Sequence, residues 1–335
     1  MLLARPRICL VAALIGSVVL GFFQGQIDPY FVDILSHIGI NITLAVSLNL
    51  INGHTGQFSL GHAGFMAVGA YTAAAMTLFA GPHVLPATAG PVLPMLWFLL
   101  ALLAGGLIAA AAGLLVGAPS LRLKGDYLAI VTLGFGQIIA VVFRNIESLG
   151  GALGLNGIPP YTNLFWIFTT AALTVYVVTT MVNSTYGRGF LATHDDEIAA
   201  EAMGINTTRY KIVAFVIGAF FAGVAGGLYG HFTLTINPKG FDFNRSIEIV
   251  VMVIVGGMGN TAGVIIAATL LALLPEGLRD LAGRSIPVPW SSTPLSLHWI
   301  GESRPLLYSM LLIGLMLLRP QGLFNLRRGS SKAPC

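Results

Sequence analysis

The chain is poor in charge. Of its 335 residues only 9% are Asp, Glu, Lys or Arg, where a soluble domain carries about 25%, and 56% are hydrophobic. Seventeen basic and 13 acidic side chains cannot cover a chain of this size in water, so a soluble globule is excluded. A bilayer makes no such demand on the surface that faces lipid. Cysteine is scarcer still: Cys9 lies in an apolar run and Cys335 is the last residue. That leaves no disulfide framework and no metal-ligand spacing. Gly-Lys never occurs, because the four lysines follow Leu123, Tyr210, Pro238 and Ser331, which excludes nucleotide hydrolysis by a P-loop. The basic residues gather into no run or face, so a nucleic-acid partner is not expected. Arg5-Pro6-Arg7 and the apolar run after it resemble a secretory signal, but no A-x-A-like site follows. The segment reads as a retained first helix.

What the chain has is long apolar runs. Spanning about 30 Å of hydrocarbon takes around 20 mostly apolar residues in a helix, which bonds every backbone group internally. Such runs fall at 8–23, 34–51, 58–79, 94–117, 127–143, 164–183, 210–230 and 305–318, with an interrupted block at 246–278. The fold class is an all-α polytopic membrane protein of about eight full spans plus two short pieces, read as a single transmembrane domain over 1–335. Loops at 80–93, 144–163 and 279–304 carry Pro, Gly and charge, and none is long enough to form a domain of its own.

Orientation follows from Lys and Arg. With the N-terminus inside, six crossings return the chain inside at 184–209. Arg5, Arg7, Arg122, Lys124, Arg188, Arg209, Lys211, Arg319, Arg327, Arg328 and Lys332 then lie inside, against Arg144, Lys239, Arg245, Arg279, Arg284 and Arg304 outside. If 246–278 crossed only once, eleven against six would become ten against seven, so charge alone barely decides. The G-G-M-G-N at 256–260 favours two short helices broken at the glycines, a form tolerated at membrane depth where it lines a protein cavity. Both termini are then cytoplasmic.

Several polar residues lie in or beside the runs. In 52–71, Gly61 and Gly64 suit close packing of helix backbones; Ser59 and His62, three apart, either share that packing or look into a polar pathway. A nucleophilic Ser59–His62 pair is disfavoured because no carboxylate is near to orient the imidazole, and His54 with His62 lacks a third ligand for zinc. His37, Asn41 and Asn49 form a drifting stripe on one helix, open to the same two readings, as are Gln137, Asn260 and Thr261. Glu248 follows Arg245 by three residues near an expected membrane edge, which points to a local ion pair. The central parts of the spans hold no carboxylate or lysine, so an ion-coupled secondary transporter is the less favoured class.

Energy would then arrive from a partner, and 184–209 offers the place. Thr193 is expected to cap a short helix over about 194–203, with Asp195, Asp196 and Glu197 at its positive end and Gly204 as its stop. Gly187, Gly189 and Gly204 would join it to the spans. Ile198, Ala202 and Met203 give it a small apolar face, while Asp195, Glu197 and Glu201 would meet the rim of a protein groove; an amphipathic helix on the membrane is the alternative.

At this loop a resemblance appears. EIAAEAMGINTTRYKIVAF at 197–215 resembles the coupling motif of ABC-importer membrane subunits, a Glu-Ala pair followed by Gly. GQFSLGHAGFMAVGAY, LKGDYLAIVTLGFGQII, GGMGNTAGVIIAATLL and RPQGLF resemble, in order from about 34 to 324, the LivM-like permeases of bacterial branched-chain amino acid importers. Gln137 stands where the family often has Glu, and Leu149 and Leu153 stand in a segment that usually carries Thr and Asn. The resemblance implies a type II importer fold of about ten helices in the bacterial cytoplasmic membrane. It also implies a LivH-like sister permease, two cytoplasmic ATPases, a periplasmic binding protein that selects Leu, Ile or Val, no cofactor and no enzymatic activity. Permeases for urea and short amides share the subfamily.

Overall fold

In a computed structural model the described residues are 6–84, 90, 92–120, 126–282, 285–286, 295–296, 310 and 313–314. The expected span 305–318 lies outside them apart from 310, 313 and 314, as do Arg122, Lys124 and the RPQGLF motif. Among the described residues seven helical stretches are long and apolar enough to cross a membrane: Arg7–Gln26, Pro29–His54, His62–Val84, Val92–Ser120, Tyr127–Asn145, Leu164–Val182 and Thr207–Thr233. Each matches an expected run.

α1 (Pro6–Phe23) leaves Ile8, Val11, Ile15, Val18 and Phe22 exposed, as a lipid-facing helix should. α2 (Pro29–Asn49) starts where Asp28 accepts from Tyr30 N at 2.9 Å with Pro29 at the first position, then passes into a π-helical turn, Leu50–His54. α2 is buried from Ile38 onward and forms the centre of one half of the molecule.

The other half is a bundle of α3 (His62–Ala75, prolonged by a π turn into α4, Gly81–Val84), α5 (Val92–Ser120), α6 (Asp126–Asn145) and α10 (Thr207–Thr233). Between them in the chain lie α7 (Leu164–Val182), which packs on α1 and α2, and the short α8 (Thr185–Asp195) and α9 (Glu197–Ala202). Without a hydrophobic drive between helices in lipid, small residues must let backbones touch. Here they do: a Cβ on Gly69 of α3 would collide with the Gly223 backbone of α10, and one on Gly105 of α5 would lie 2.8 Å from Gly69 O. Gly61 and Gly64 perform the same service against α6, where a Cβ on Gly64 would stand 2.9 Å from Gly136 Cα. The expected small-residue packing is therefore observed.

At one end a two-stranded antiparallel ribbon closes the bundle, β1 (Leu155–Asn156) with β2 (Thr235–Ile236), and Tyr71 Oη donates to Ile236 O at 3.4 Å. The block 246–278 is two helices. α11 (Phe243–Gly256) is capped by Asp242, and α12 (Thr261–Ala282) by Asn260, whose Oδ1 accepts from Gly263 N at 3.2 Å. The break between them needs glycine, since Gly257 and Gly259 have φ of 90° and 81°. α12 runs antiparallel to α2: Gly259 N donates to Asn49 Oδ1 at 2.9 Å at one end, and Tyr30 Oη donates to Glu276 Oε2 at 2.8 Å at the other. The block therefore turns back on itself, and residue 279 lies at the same end as Tyr30.

Candidate functional site

The α8–α9 segment is built as a rigid body. Asp196, extended at φ −157°, ψ 110°, caps α9: its Oδ1 accepts from Ile198 N at 2.9 Å and Ala199 N at 3.1 Å. Thr193 is not the cap expected from the sequence. It lies in the last turn of α8, where its hydroxyl donates to Gly189 O at 2.8 Å. At the other end Gly204, with φ +84°, stops α9 as expected. Gly204 N donates to Glu201 O at 2.9 Å and Ile205 N to Ala200 O at 3.0 Å, which satisfies two of the last carbonyls. Gly187 and Gly189 are not joints either. Both lie within α8, where a Cβ would strike the Val182 carbonyl and the Tyr210 ring respectively, so they let α8 fold tightly onto α7 and α10.

Two of the three acidic residues expected at a partner's rim are used internally. Glu197 Oε1 lies 2.7 Å from Lys211 Nζ on α10, and Glu201 Oε1 accepts from Thr207 Oγ1 at 2.6 Å. Among the described residues Lys211, 2% exposed, is the one Lys, Arg, Asp or Glu that is buried. A buried ammonium requires a carboxylate, so Glu197 pins α9 to the first turns of α10. What remains outward is Ile198 at 72% and Met203 at 82% exposure, with Ala202 and Asp195 beside them. Sequence reasoning missed Lys211 and Thr207; the i+14 and i+6 separations from Glu197 and Glu201 are not helical neighbours, so no periodicity reveals them. A second tether was also missed: Gly56 packs on His194, where a Cβ would lie 3.2 Å from the His194 ring.

The polar candidates within the spans fall into separate groups. His62 opens α3 fully buried, its Nε2 2.9 Å from Ser47 Oγ, which itself donates to Leu44 O at 2.9 Å. Ser59 precedes α3 and does not share a helix face with His62. Its backbone N donates to Asn52 Oδ1 at 3.2 Å, and its hydroxyl has no hydrogen-bond partner among the described residues. No Ser59–His62 dyad forms. Asn260 and Thr261 sit at the break that Asn49 holds, Thr261 buried and Asn260 half-buried. Gln137 is half-buried on α6. His37, half-buried, faces Tyr229 and Phe232 of α10 and lies 3.8 Å from Asp33.

Asn41 changes the electrostatic picture. Its Oδ1 accepts from Arg245 Nη2 at 2.8 Å, and Arg245 Nη1 donates to Glu248 Oε2 at 2.8 Å, the ion pair expected from the sequence. Its setting is not as expected. Asn41 is near the middle of the 26-residue span Pro29–His54, about 18 Å along the helix from Pro29. Ser246 Oγ accepts from Ala63 N at 3.3 Å, next to the His62 that bonds Ser47. These bonds bring the first turn of α11 against the side of α2 at Asn41 and against the start of α3, so a charge pair does touch the span Pro29–His54. An apolar cavity between α1, α2, α7 and α12 is lined by Leu10, Ala13, Leu20, Ile42, Phe168 and Ile265 among others.

A helical chain with paired glycine crossings, a broken antiparallel helix pair and a projecting braced element is a polytopic membrane permease. It belongs to the family described as branched-chain amino acid transport system / permease component, which matches residues 30–319. The chain is 32% identical to the high-affinity branched-chain amino acid transport system permease protein LivM of Salmonella typhimurium, over 98% of its own length and 77% of that protein's, and equally so to LivM of Escherichia coli. It is 34% identical to LivH of Escherichia coli over 113 residues, 33% of this chain and 35% of that protein. No solved structure matches.

Proposed function

We propose that this chain forms half of the translocation pathway of an ATP-driven importer for leucine, isoleucine and valine, as one permease domain over 1–335. The LivM relatives carry that substrate class in their names, and the shorter likeness to LivH supports pairing with a sister permease of the same fold. The N-terminus and the α8–α9 end are placed in the cytoplasm of a bacterium on the count of Lys and Arg, and two ABC ATPases dock there. A periplasmic binding protein delivers substrate at the ribbon end. His37, Asn41, Gln137, Asn260 and Thr261 border the path, with Ser59 and His62 shaping the wall behind it. No nucleophile, metal or cofactor has a role in this scheme, and chemistry on the substrate is not part of it.

The observation that carries the reading is α9 itself. An ATPase can move a membrane domain only through a contact that survives the stroke, so the contact must be a rigid body. α9 is capped at both ends, tied to α10 through Lys211 and Thr207, and leaves Ile198, Ala202 and Met203 exposed on its outer side. Ala202→Arg would force a charge and a long side chain into the ATPase groove that receives them, costing several kcal/mol if it is desolvated. Copurification of the ATPases and substrate-stimulated ATP hydrolysis should both fall while insertion of the chain stays normal. Unchanged copurification and hydrolysis in an Ala202→Arg, Met203→Glu double variant would refute docking at α9.

A further inference from the structure

We infer that the slot between α1 and α7 holds one acyl chain of a membrane phospholipid, lying lengthwise over Ile42 and Ile265 with its ester end at Thr179.

The walls of the slot are two matched helix faces. Cys9, Ala13, Gly16 and Leu20 line it from α1, and Phe168, Ala172, Val175 and Thr179 from α7. Each set recurs at spacings of four, three and four, which keeps it on one side of its helix. The two helices run antiparallel: Ser17 Oγ lies 2.9 Å from Thr169 Oγ1, and a Cβ on Gly21 would stand 2.7 Å from Phe165 Cβ. Leu20 and Phe168 therefore share one end of the slot, and Cys9 and Thr179 the other, about 16 Å away along the helices. Ile42 of α2 and Ile265 of α12 form the floor. Because α1 packs on α7 and α12 packs on α2, the open side lies between α1 and α12, where Ala13 and Ile266 are exposed. Between spanning helices, that side meets hydrocarbon.

Size and chemistry select the occupant. The slot has a volume of about 320 Å³, whereas the same length of helix, about 10 Å across, takes roughly 1,200 Å³. No helix fits it, and a single string of methylenes does. Among the described residues no charged side chain lines the slot, so it reads a chain and not a headgroup, and an apolar lining gives water too few partners. At the Leu20–Phe168 end the polar groups are used internally, since Ser17 also donates to Leu14 O at 2.8 Å. Thr179 at the other end is 6% exposed, and its hydroxyl has no hydrogen-bond partner among the described residues. It stands near the end of α7 at Val182, about 5 Å inside it, where a chain entering from the α8 side of the bilayer carries its ester carbonyl. One step of χ1 exchanges the methyl and hydroxyl of Thr179 and lets the hydroxyl donate to that carbonyl.

The test uses the whole complex, sister permease and ATPases included, in phosphatidylcholine nanodiscs. These carry a trace of phosphatidylcholine or phosphatidylglycerol with a diazirine halfway along one chain, and peptide mass spectrometry after illumination locates the adducts. They should form on Ile42 and Ile265, at equal yield with either headgroup; Ile42 is only 9% exposed, so lipid that merely surrounds the protein does not reach it. Gly16→Phe places a ring where nothing lies within 4 Å of an added Cβ, so the chain folds with the slot filled and both adducts should be lost. Ala172→Leu fills it from the opposite wall and should cut them likewise. Labelling of Leu107, on the exposed side of α5, should not change. Thr179→Val keeps the shape of the slot and should weaken retention of the chain about threefold, the worth of one hydrogen bond in hydrocarbon. Wild-type complex without adducts on Ile42 and Ile265, as when the sister permease closes the slot, overturns the site. So does labelling that persists in both filling variants, and a strong preference for one headgroup overturns recognition through the chain.

Discussion

Gly69→Ala and Gly134→Ala add the same methyl group to the middle of a membrane helix, yet the structure assigns them opposite signs. At Gly134 on α6 nothing lies within 4 Å of an added Cβ, so the change acts on the backbone alone and stabilises by about 0.5–1 kcal/mol through helix propensity. At Gly69 the methyl meets the Cα, C and O of Gly223. These are backbone atoms on both sides of a helix crossing, and no rotamer change can clear them. α3 and α10 must separate by roughly 1 Å, a gap that forfeits a quarter to a half of the dispersion across the contact. The neighbouring Gly105 contact at 2.8 Å from Gly69 O opens with it. Overpacking of this kind costs about 1–3 kcal/mol, and backbone against backbone places Gly69→Ala at the upper end, well beyond the propensity gain. Thermal unfolding of the purified chain in detergent, followed by tryptophan fluorescence, reads both. Gly69→Ala should lower Tm by several degrees and Gly134→Ala should raise it slightly. Equal shifts, or a lower Tm for Gly134→Ala alone, would refute the packing of the α3–α5–α10 crossing.

Asp196→Ala removes the α9 cap, costing about 1 kcal/mol, and should speed hydrogen exchange of the Ile198 and Ala199 amides while leaving α10 protected. Glu197→Ala leaves Lys211 buried without its carboxylate; because Glu197 is itself a quarter exposed, the loss should fall below the roughly 3–5 kcal/mol of a fully buried pair, and Lys211→Met on the same background should recover part of it. Asn49→Ala frees the Gly259 amide at the α11–α12 break, costing about 1–3 kcal/mol; hydrogen exchange at Gly259 should rise ahead of global unfolding. In a background with Cys9 and Cys335 replaced by Ser, single cysteines at His37 and Gln137 should react with a small water-soluble thiol reagent in at least one transport state. A cysteine at Leu107, 63% exposed on α5, should not; equal protection of all three would make the polar residues packing groups only.

The spans were legible because lipid imposes a composition that no other constraint mimics, and seven runs read from hydrophobicity reappear as helices. The break at 256–260 was legible from its glycines, and the Arg245–Glu248 pair from its helical spacing. The setting of that pair was not. Arg245 and Glu248 stand just after a polar loop in the sequence, and only the long-range bonds of Arg245 to Asn41 and of Ser246 to Ala63 show that α11 begins against the side of α2 and the start of α3. The α9 cap was misplaced by three residues because Thr193 and Asp196 are both capping residues. The choice fell to α8, which continues to Asp195 and satisfies Thr193 within itself. α8 escaped notice because Gly187 and Gly189 read as joints, whereas close approach to Val182 and Tyr210 requires them. The role of Glu197 was inverted for a related reason: a local reading sees an acidic helix start, and the buried Lys211 that claims it lies on another helix.

Energy coupling is tested most directly by leucine uptake into proteoliposomes containing the full complex, with binding protein outside the transporter's receiving face and ATP on the α9 side. Uptake should require ATP and the binding protein together, stop with a non-hydrolysable analogue, and ignore a proton or sodium gradient imposed across the same vesicles. Leucine accumulation by this chain alone, driven by either gradient without ATP, would contradict the importer reading and make the protein a secondary transporter.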